Sequence, residues 1–273
     1  MTLEDHVGDI LRKGRLHLGV TAEKAALTAK ITTSDLALLE ETGKMPDPAD
    51  WQALCPILGL NSAKLNTLLQ GWVPRTPDLG IWRELRPIAT VSNGMSVNCY
   101  LIWDEVTLEA ALFDTGFEAN PVIELVRENQ LQLKHLFITH SHTDHVAALP
   151  HLRQAFPKIR IHTGDKAASP EHRNRSHDFV HLGNLRISNR ETPGHAEDGT
   201  TYVVGNWPED APHVAIVGDA LFAGSMGGAV GSYALATQRI REQLLSLPAD
   251  TLLCPGHGPL TTVAEEKEHN PFF

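Results

Sequence analysis

The sequence predicts a small all-α domain over residues 1–80 followed by an α/β domain over 81–273, with enough strands in the second for two sheets covered by helices. Three observations lead there. Residues 3–71 read as helix after helix, residues 72–87 (WVPRTPDLGIWRELRP) bring three prolines and a glycine, and from residue 88 short β-prone runs begin to alternate with helical ones.

In the first part TAEKAALTA (21–29) follows a Thr N-cap, TTSDLALLEETG (32–43) opens on cap residues and closes on Gly43, and DPADWQALCPILG (47–59) repeats the scheme. In the second part IATVSN (88–93), NCYLIW (98–103) and LEAALFD (108–114) have the composition and turn spacing of a meander. ANPVIELVRENQ (119–130) has helical spacing, KHLFIT (134–139) is an apolar strand, and DHVAALPHLRQAF (144–156) returns to helix despite Pro150. Further strands are expected at IRIHT (159–163), LRISNRE (185–191), TTYVVG (200–205), HVAIVGD (213–219) and TLLCPG (251–256), and a helix over LATQRIREQLLSL (235–247). No solenoid repeat or low-complexity tract interrupts the pattern.

Composition narrows the function classes. With 273 residues, 42% of them hydrophobic and 21% charged, the chain is long enough and apolar enough to bury a large core. The opening MTLEDHVGDILRKGRLHLG lacks the basic head and apolar run of a secretory signal, and no segment is apolar enough to span a membrane, so a cytoplasmic protein is expected. Cys55, Cys99 and Cys254 are odd in number and widely spaced, which fits buried thiols better than disulfides or a zinc ribbon. A net charge of −10 repels phosphate backbones and favours a small or neutral substrate over nucleic acid.

Histidine carries the chemistry. There are 15, crowded after residue 134. THSHTDH (139–145) leaves a strand and offers His140, His142, Asp144 and His145 within six residues; imidazole and carboxylate are ligands that zinc, iron and manganese accept. The blander alternative is a polar loop that happens to be rich in histidine. TPGH (192–195), VGD (217–219) and PGHG (255–258) each place His195, Asp219 or His257 at or just beyond a strand end. Each alone could be a turn or a surface histidine. Together they would deliver five histidines and two aspartates to one edge of a sheet sandwich.

On NCYLIW, the FDTG turn (113–116), THSHTDH, TPGH, GDALFAGS (218–225), CPGHG (254–258) and EEKEHNPFF (265–273), the sequence resembles the metallo-β-lactamase superfamily, and within it the glyoxalase II-like hydrolases, over roughly residues 88–273. The resemblance implies the αββα sandwich of that family. It also implies two divalent metal ions, zinc first and iron or manganese as alternatives: His140, His142 and His195 on one, Asp144, His145 and His257 on the other, Asp219 bridging. Such a pair lowers the pKa of a shared water to near neutrality and supplies hydroxide for attack on a small activated acyl compound, a thioester above all, with Asp144 orienting the hydroxide and accepting its proton. Asp114 would either fix the orientation of a ligand from behind or merely cap its turn. The Asp219 position favours the glyoxalase II side over a zinc β-lactamase. SMGGAVGSY (225–233) lacks the Gly-Arg that glutathione-using relatives carry there, and no helical glutathione-binding domain follows, so no glutathione preference is expected. Lactones or phosphodiesters are the alternative substrates for the same site.

Residues 11–69 resemble the five-helix phage-repressor type of helix-turn-helix domain, through the Arg12/Arg15 helix, GVTAEKAA, TTSDLALLE and the G-K-x-P turn at Gly43 to Pro46. That resemblance keeps open a DNA-bound ligand sensor. Yet the helix that would enter the major groove offers Thr32, Thr33, Ser34, Asp35, Glu40 and Glu41, and residues 1–80 hold 8 basic against 10 acidic side chains, a net of −2. A repurposed domain that dimerises the chain or shapes the mouth of the site is the preferred reading. His135, His151, His162, His177, His181 and His213 have no ligand spacing, and Trp207 and Tyr233 read as core or pocket lining.

Overall fold

The computed structural model describes residues 2–44, 49–175, 178–229 and 232–273; Pro46 of the G-K-x-P turn, His177, and Val230 and Gly231 of SMGGAVGSY lie outside the described residues. Five helices come first: α1 (Val7–His17), α2 (Ala22–Ala29), α3 (Thr33–Thr42), α4 (Trp51–Ile57) and α5 (Ser62–Leu69). Their starts are set by side chains that satisfy first-turn N–H groups, namely His6, Thr21, Thr32, Asp50 and Asn61. His6 and Thr32 each form a reciprocal capping box, with Asp9 and Asp35. α3 stops at Gly43, whose φ of 68° closes the helix in the left-handed region.

The remaining chain builds two sheets. β1 (Leu85–Ser92), β2 (Met95–Trp103), β3 (Glu109–Phe113), β4 (Gln132–Ile138) and β5 (Arg160–Thr163) lie side by side in that order, antiparallel from β1 to β3 and parallel from β3 to β5. The parallel crossover from β3 to β4 runs through α6 (Asn120–Glu128), and α7 (Thr143–Val146) and α8 (Leu149–Ala155) carry the chain from β4 to β5. The second sheet has β6 (Phe179–Leu182), β7 (Leu185–Glu191), β8 (Thr200–Gly205) and β9 (Val214–Gly218), then β12 (Leu252–Pro255) and β13 (Thr261–Thr262), with β9 and β12 parallel. Between β9 and β12 run the hairpin β10 (Leu221–Phe222) and β11 (Ser225–Met226) and the helix α9 (Tyr233–Arg239), which passes into a π turn over Ile240–Leu244; α10 (Val263–His269) follows β13.

Three buried clusters define the layers. Tyr100, Phe113 and Phe137 from the first sheet meet Ile187, Tyr202, Val214 and Ile216 from the second, forming the sandwich interior. Val122 and Val126 of α6 and Leu152 of α8 cover the far face of the first sheet against Leu101, Leu112 and Leu136. On the far face of the second sheet, Val203, Ala215 and Leu253 join Ile240 and Leu244 and run without a break into Ile10, Leu11, Leu36, Leu54 and Leu65 of the N-terminal helices. The architecture is therefore the αββα sandwich the motifs imply, preceded by helices that share a core with it. Each leucine fully withdrawn from water in such a cluster contributes roughly 1.5–3 kcal/mol.

Some elements differ from the sequence expectation. The helix expected over 144–156 is two, parted around Ala147 and Ala148, because Pro150 at the start of α8 has no N–H to continue the hydrogen-bond ladder from α7. Strand β6 and the two-residue strands β10, β11 and β13 carry too few residues to show a period. The three cysteines are buried and unpaired, and burial raises the Cys55 thiol to about 11 and that of Cys99 to about 12.

Candidate metal centre

Strand ends aim the candidate side chains. β3 and β4 run parallel with Phe113 beside Phe137, so Asp114 and Thr139 leave the sheet together. The Asp114 carboxylate accepts from Thr139 N and Thr139 Oγ1, each at 2.7 Å, and from His145 Nδ1 at 2.8 Å. Those bonds lock the start of the THSHTDH loop and turn His145 Nε2 toward the cleft. The backbone of His145 is held from the other side, its carbonyl accepting from Thr115 N at 2.8 Å.

Three residues, Thr192, Pro193 and Gly194, separate the end of β7 from His195; its Nδ1 donates to Gly228 O at 3.1 Å and frees Nε2. Asp219 follows Gly218, whose φ of 52° and closeness to Thr139 Oγ1, 2.5 Å from where a Cβ would stand, leave no room for a side chain. His257 follows β12, and its Nδ1 donates to Ser96 O at 2.6 Å. Gly256 is required by close approach: a Cβ there would lie 2.3 Å from Asp219 Oδ1 and 2.6 Å from His145 Cε1.

All seven candidate ligands are thus brought together. His142 Nδ1 stands 3.1 Å from His140 Nε2 and 3.0 Å from His195 Nε2. On the other side His257 Nε2 is 3.1 Å from Asp144 Oδ2, and His145 Nε2 is 3.5 Å from the same oxygen. Asp219 sits between, Oδ1 3.4 Å from His145 Nε2 and Oδ2 3.4 and 3.5 Å from His257 and His195 Nε2. Three groups have ligand atoms within 4.8 Å of one another: His140, His142 and His195; His140, His145 and Asp219; Asp144, His145 and His257. Two ligands of one tetrahedral zinc, each about 2.0–2.1 Å from it, stand roughly 3.3 Å apart, so these spacings fit a divalent ion.

Two further observations test that fit. His145 Nε2 and Asp219 Oδ1 are buried without a hydrogen-bond partner, a costly condition that a shared cation would relieve. Protonation of the site follows the same division. Burial, seconded by His145, drives His140 down to about 2, and burial lowers His195 against the pull of Asp219. Burial opposes charge on His145 and His257 too, but the Asp114 and Asp219 carboxylates raise His145 to about 10, and Asp144 and Asp219 raise His257 to about 11. The hydrogen bond from His257 holds Asp144 near 2, and His145 and His257 hold Asp219 well below the usual range despite its burial. Positive charge is thus wanted between Asp144, Asp219, His145 and His257.

The sequence profile of the metallo-beta-lactamase superfamily matches residues 92–257, which span all seven candidate ligands. The chain belongs to the metallo-beta-lactamase superfamily. Among its relatives, "Hydroxyacylglutathione hydrolase GloC" of Haemophilus influenzae is 32% identical over 201 residues, 64% of this chain and 92% of that one. The crystal structure of ETHE1 from Myxococcus xanthus superposes with a TM-score of 0.60 at 31% identity, over 68% of this chain and 83% of that one. TTHA1623 in a di-iron-bound form gives a TM-score of 0.54 at 26% identity, over 69% of this chain and all of that one. Residues 1–91 lie outside the match to this superfamily's profile.

Within the superfamily frame, several supporting residues had no role legible in the sequence. Asn98 Nδ2 donates to Pro255 O and Gly258 O at 3.2 and 3.0 Å, and Tyr100 Oη donates to Pro255 O at 2.6 Å, so NCYLIW pins the PGHG segment. Buried Glu266 accepts from Thr261 Oγ1, Asn270 Nδ2 and Gly224 N, and Asn270 Nδ2 also donates to Ser225 O at 2.7 Å, which gives the C-terminal motif its task beneath the β10–β11 turn. Of the remaining histidines, His135 and His162 pair with each other at 2.9 Å, and burial lowers both to about 4. Trp207 is core, its Nε1 donating to Val204 O. In the N-terminal helices Glu40 is bound by Arg15 Nε and an Arg15 terminal nitrogen at 2.6 and 2.7 Å, and Thr32 and Asp35 are occupied in capping α3. No described helix is long and apolar enough to cross a membrane.

Proposed function

We propose that this metallo-beta-lactamase-fold chain is a two-metal hydrolase of small activated acyl compounds, thioesters first, with His140, His142 and His195 holding one divalent ion, Asp144, His145 and His257 the other, and Asp219 shared. The observation that carries the proposal is the pair of buried, unpartnered atoms, His145 Nε2 and Asp219 Oδ1, at the centre of seven converging ligands. Zinc is the first choice for these ligands, with iron or manganese accepted by the same mixed donor set. When bound, two such ions supply an activated water at neutral pH and polarise a substrate carbonyl.

The chain's own residues do the rest. Asp114 fixes the His145 ring through the 2.8 Å hydrogen bond, and Ser96 O and Gly228 O do the same for His257 and His195. Asp144, ionised and beside His257, orients the water and takes up its proton. Thioester chemistry draws support from the hydroxyacylglutathione hydrolase named among the relatives. Glutathione itself draws less: the loop after Ser225 presents Gly227 and Gly228 and no cation, and the nearby Lys13 is committed to Asp5 and Met226 O. The N-terminal helices are read as a part that dimerises the chain or shapes the mouth of the site; the pairing of Arg15 with Glu40, which takes a cation away from any phosphate backbone, supports that reading over DNA binding. A panel of metal-loaded assays tests the reading. Several small acyl thioesters should be hydrolysed with no strong preference for S-lactoylglutathione; activity confined to lactones or phosphodiesters would move the substrate class, and selective turnover of S-lactoylglutathione would overturn the reading of the loop.

A further inference from the structure

The segment from Ser225 to Ala229 lies between helix α1 and the metal centre, and both of its faces are tied. On the side of α1, Lys13 Nζ donates to Met226 O at 2.8 Å, is paired with Asp5, and stands 5.2 Å from the centre of the Phe222 ring. Asp5 also accepts from the Ser225 hydroxyl. Four residues further along the same helix face, His17 Nε2 accepts from Ala229 N at 3.0 Å while its ring stacks on Tyr233 at 4.5 Å. On the side of the metal centre, Gly228 O receives the Nδ1–H of His195, and Gly227 is pressed so close that a Cβ would stand 1.9 Å from Asp219 O and 3.0 Å from His195 Nδ1.

We propose that α1 is a working part of the metal centre: Lys13 and His17 are positioning residues that hold the 225–229 segment so that Gly228 O fixes the tautomer and angle of His195. The inference rests on the proposed ligand role of His195 and not on the choice of substrate. A ligating imidazole needs its second nitrogen held, and loss of such a partner typically weakens metal binding by about 10–100-fold. Here the partner is a backbone carbonyl, and a carbonyl in a glycine-rich segment is only as fixed as the groups that pin the segment. Two of those pins come from a helix more than 200 residues away in the chain. The first helix is thereby coupled to the metal that His140, His142 and His195 would share.

Cobalt(II) loading reads the coupling directly, because visible absorption of the ion reports its ligand geometry and chelator competition reports its affinity. In the full chain Lys13→Met should weaken the tri-histidine group by roughly 10-fold or more and alter the cobalt spectrum. Lys13→Arg, which can still donate to Met226 O, should restore both. His17→Phe keeps a ring against Tyr233 but removes the acceptor for Ala229 N; it should act in the same direction and keeps the test decisive where Lys13→Met does not fold. Arg12→Ala, on the exposed face of the same helix, should change neither reading. Folded Lys13→Met and His17→Phe proteins with the parent affinity and spectrum would overturn the proposal. Cobalt binding needs no substrate, so failure of the thioester panel leaves this inference standing, whereas a parent chain that takes up no cobalt overturns both.

Discussion

The proposed mechanism gives Asp144 two duties, ligand and proton acceptor. Its carboxylate stands 3.1 Å from His257 Nε2, whose hydrogen bond holds it near 2 and so ionised, ready to take a cation. Asp144→Asn keeps the shape while removing the basic oxygen, and kcat should fall by about 10²-fold or more while part of the metal is retained, as paired kinetics and metal analysis would show. A fall in KM affinity with kcat intact would instead make Asp144 a substrate contact. At this scale the convergence of the candidate ligands was legible in the sequence because metal chemistry calls for His and Asp, and H-x-H-x-D-H concentrates four of them within six residues. Asp114 was legible only as one of two readings, and the 2.8 Å contact with His145 supplies what the sequence lacked. Ser96 was not legible, since any residue offers the carbonyl that receives His257 Nδ1.

Among the elements, the strand ends do the positioning, and glycines let them converge. Gly256 can be tested at the end of β12, because a Cβ there would stand 2.3 Å from Asp219 Oδ1 and 2.6 Å from His145 Cε1. Gly256→Ala should displace the shared carboxylate or the imidazole, weakening metal binding at least 10-fold with little change in helical content, measurable by chelator competition beside circular dichroism. Parent-like metal affinity would show that the backbone yields without cost. Long elements were legible from their periods, β2 and β4 from apolar runs and α3 from its caps and Gly43. The break between α7 and α8 was signalled by Pro150 but overruled by the helical spacing on either side. Contacts such as Lys13 to Met226 have no sequence signature, being separated by 213 residues.

At the scale of the molecule, one buried carboxylate ties stability to pH. Burial raises Glu266 to about 7 against the hydrogen bonds from Asn270, Thr261 and Gly224, while in the unfolded chain it returns to about 4.5. Its folded pKa lies above its unfolded one, so its contribution is fully present below about pH 4.5 and is lost as pH rises through about 7. Glu266→Gln should therefore reduce the loss of unfolding free energy between pH 5 and 8 by up to a few kcal/mol in urea titrations, and an unchanged difference would contradict the burial argument. The αββα layering followed from alternating strands and helices together with the motifs, whereas the continuous core joining α1–α5 to the second sheet did not, because amphipathic spacing shows which face is buried and not what buries it. The two-metal centre shared through Asp219 is best read from metal content per chain. Protein purified without chelator should carry close to two transition-metal ions, and Asp219→Ala should loosen both. One tightly held ion with the second group empty at saturating metal would rule out the shared role of Asp219.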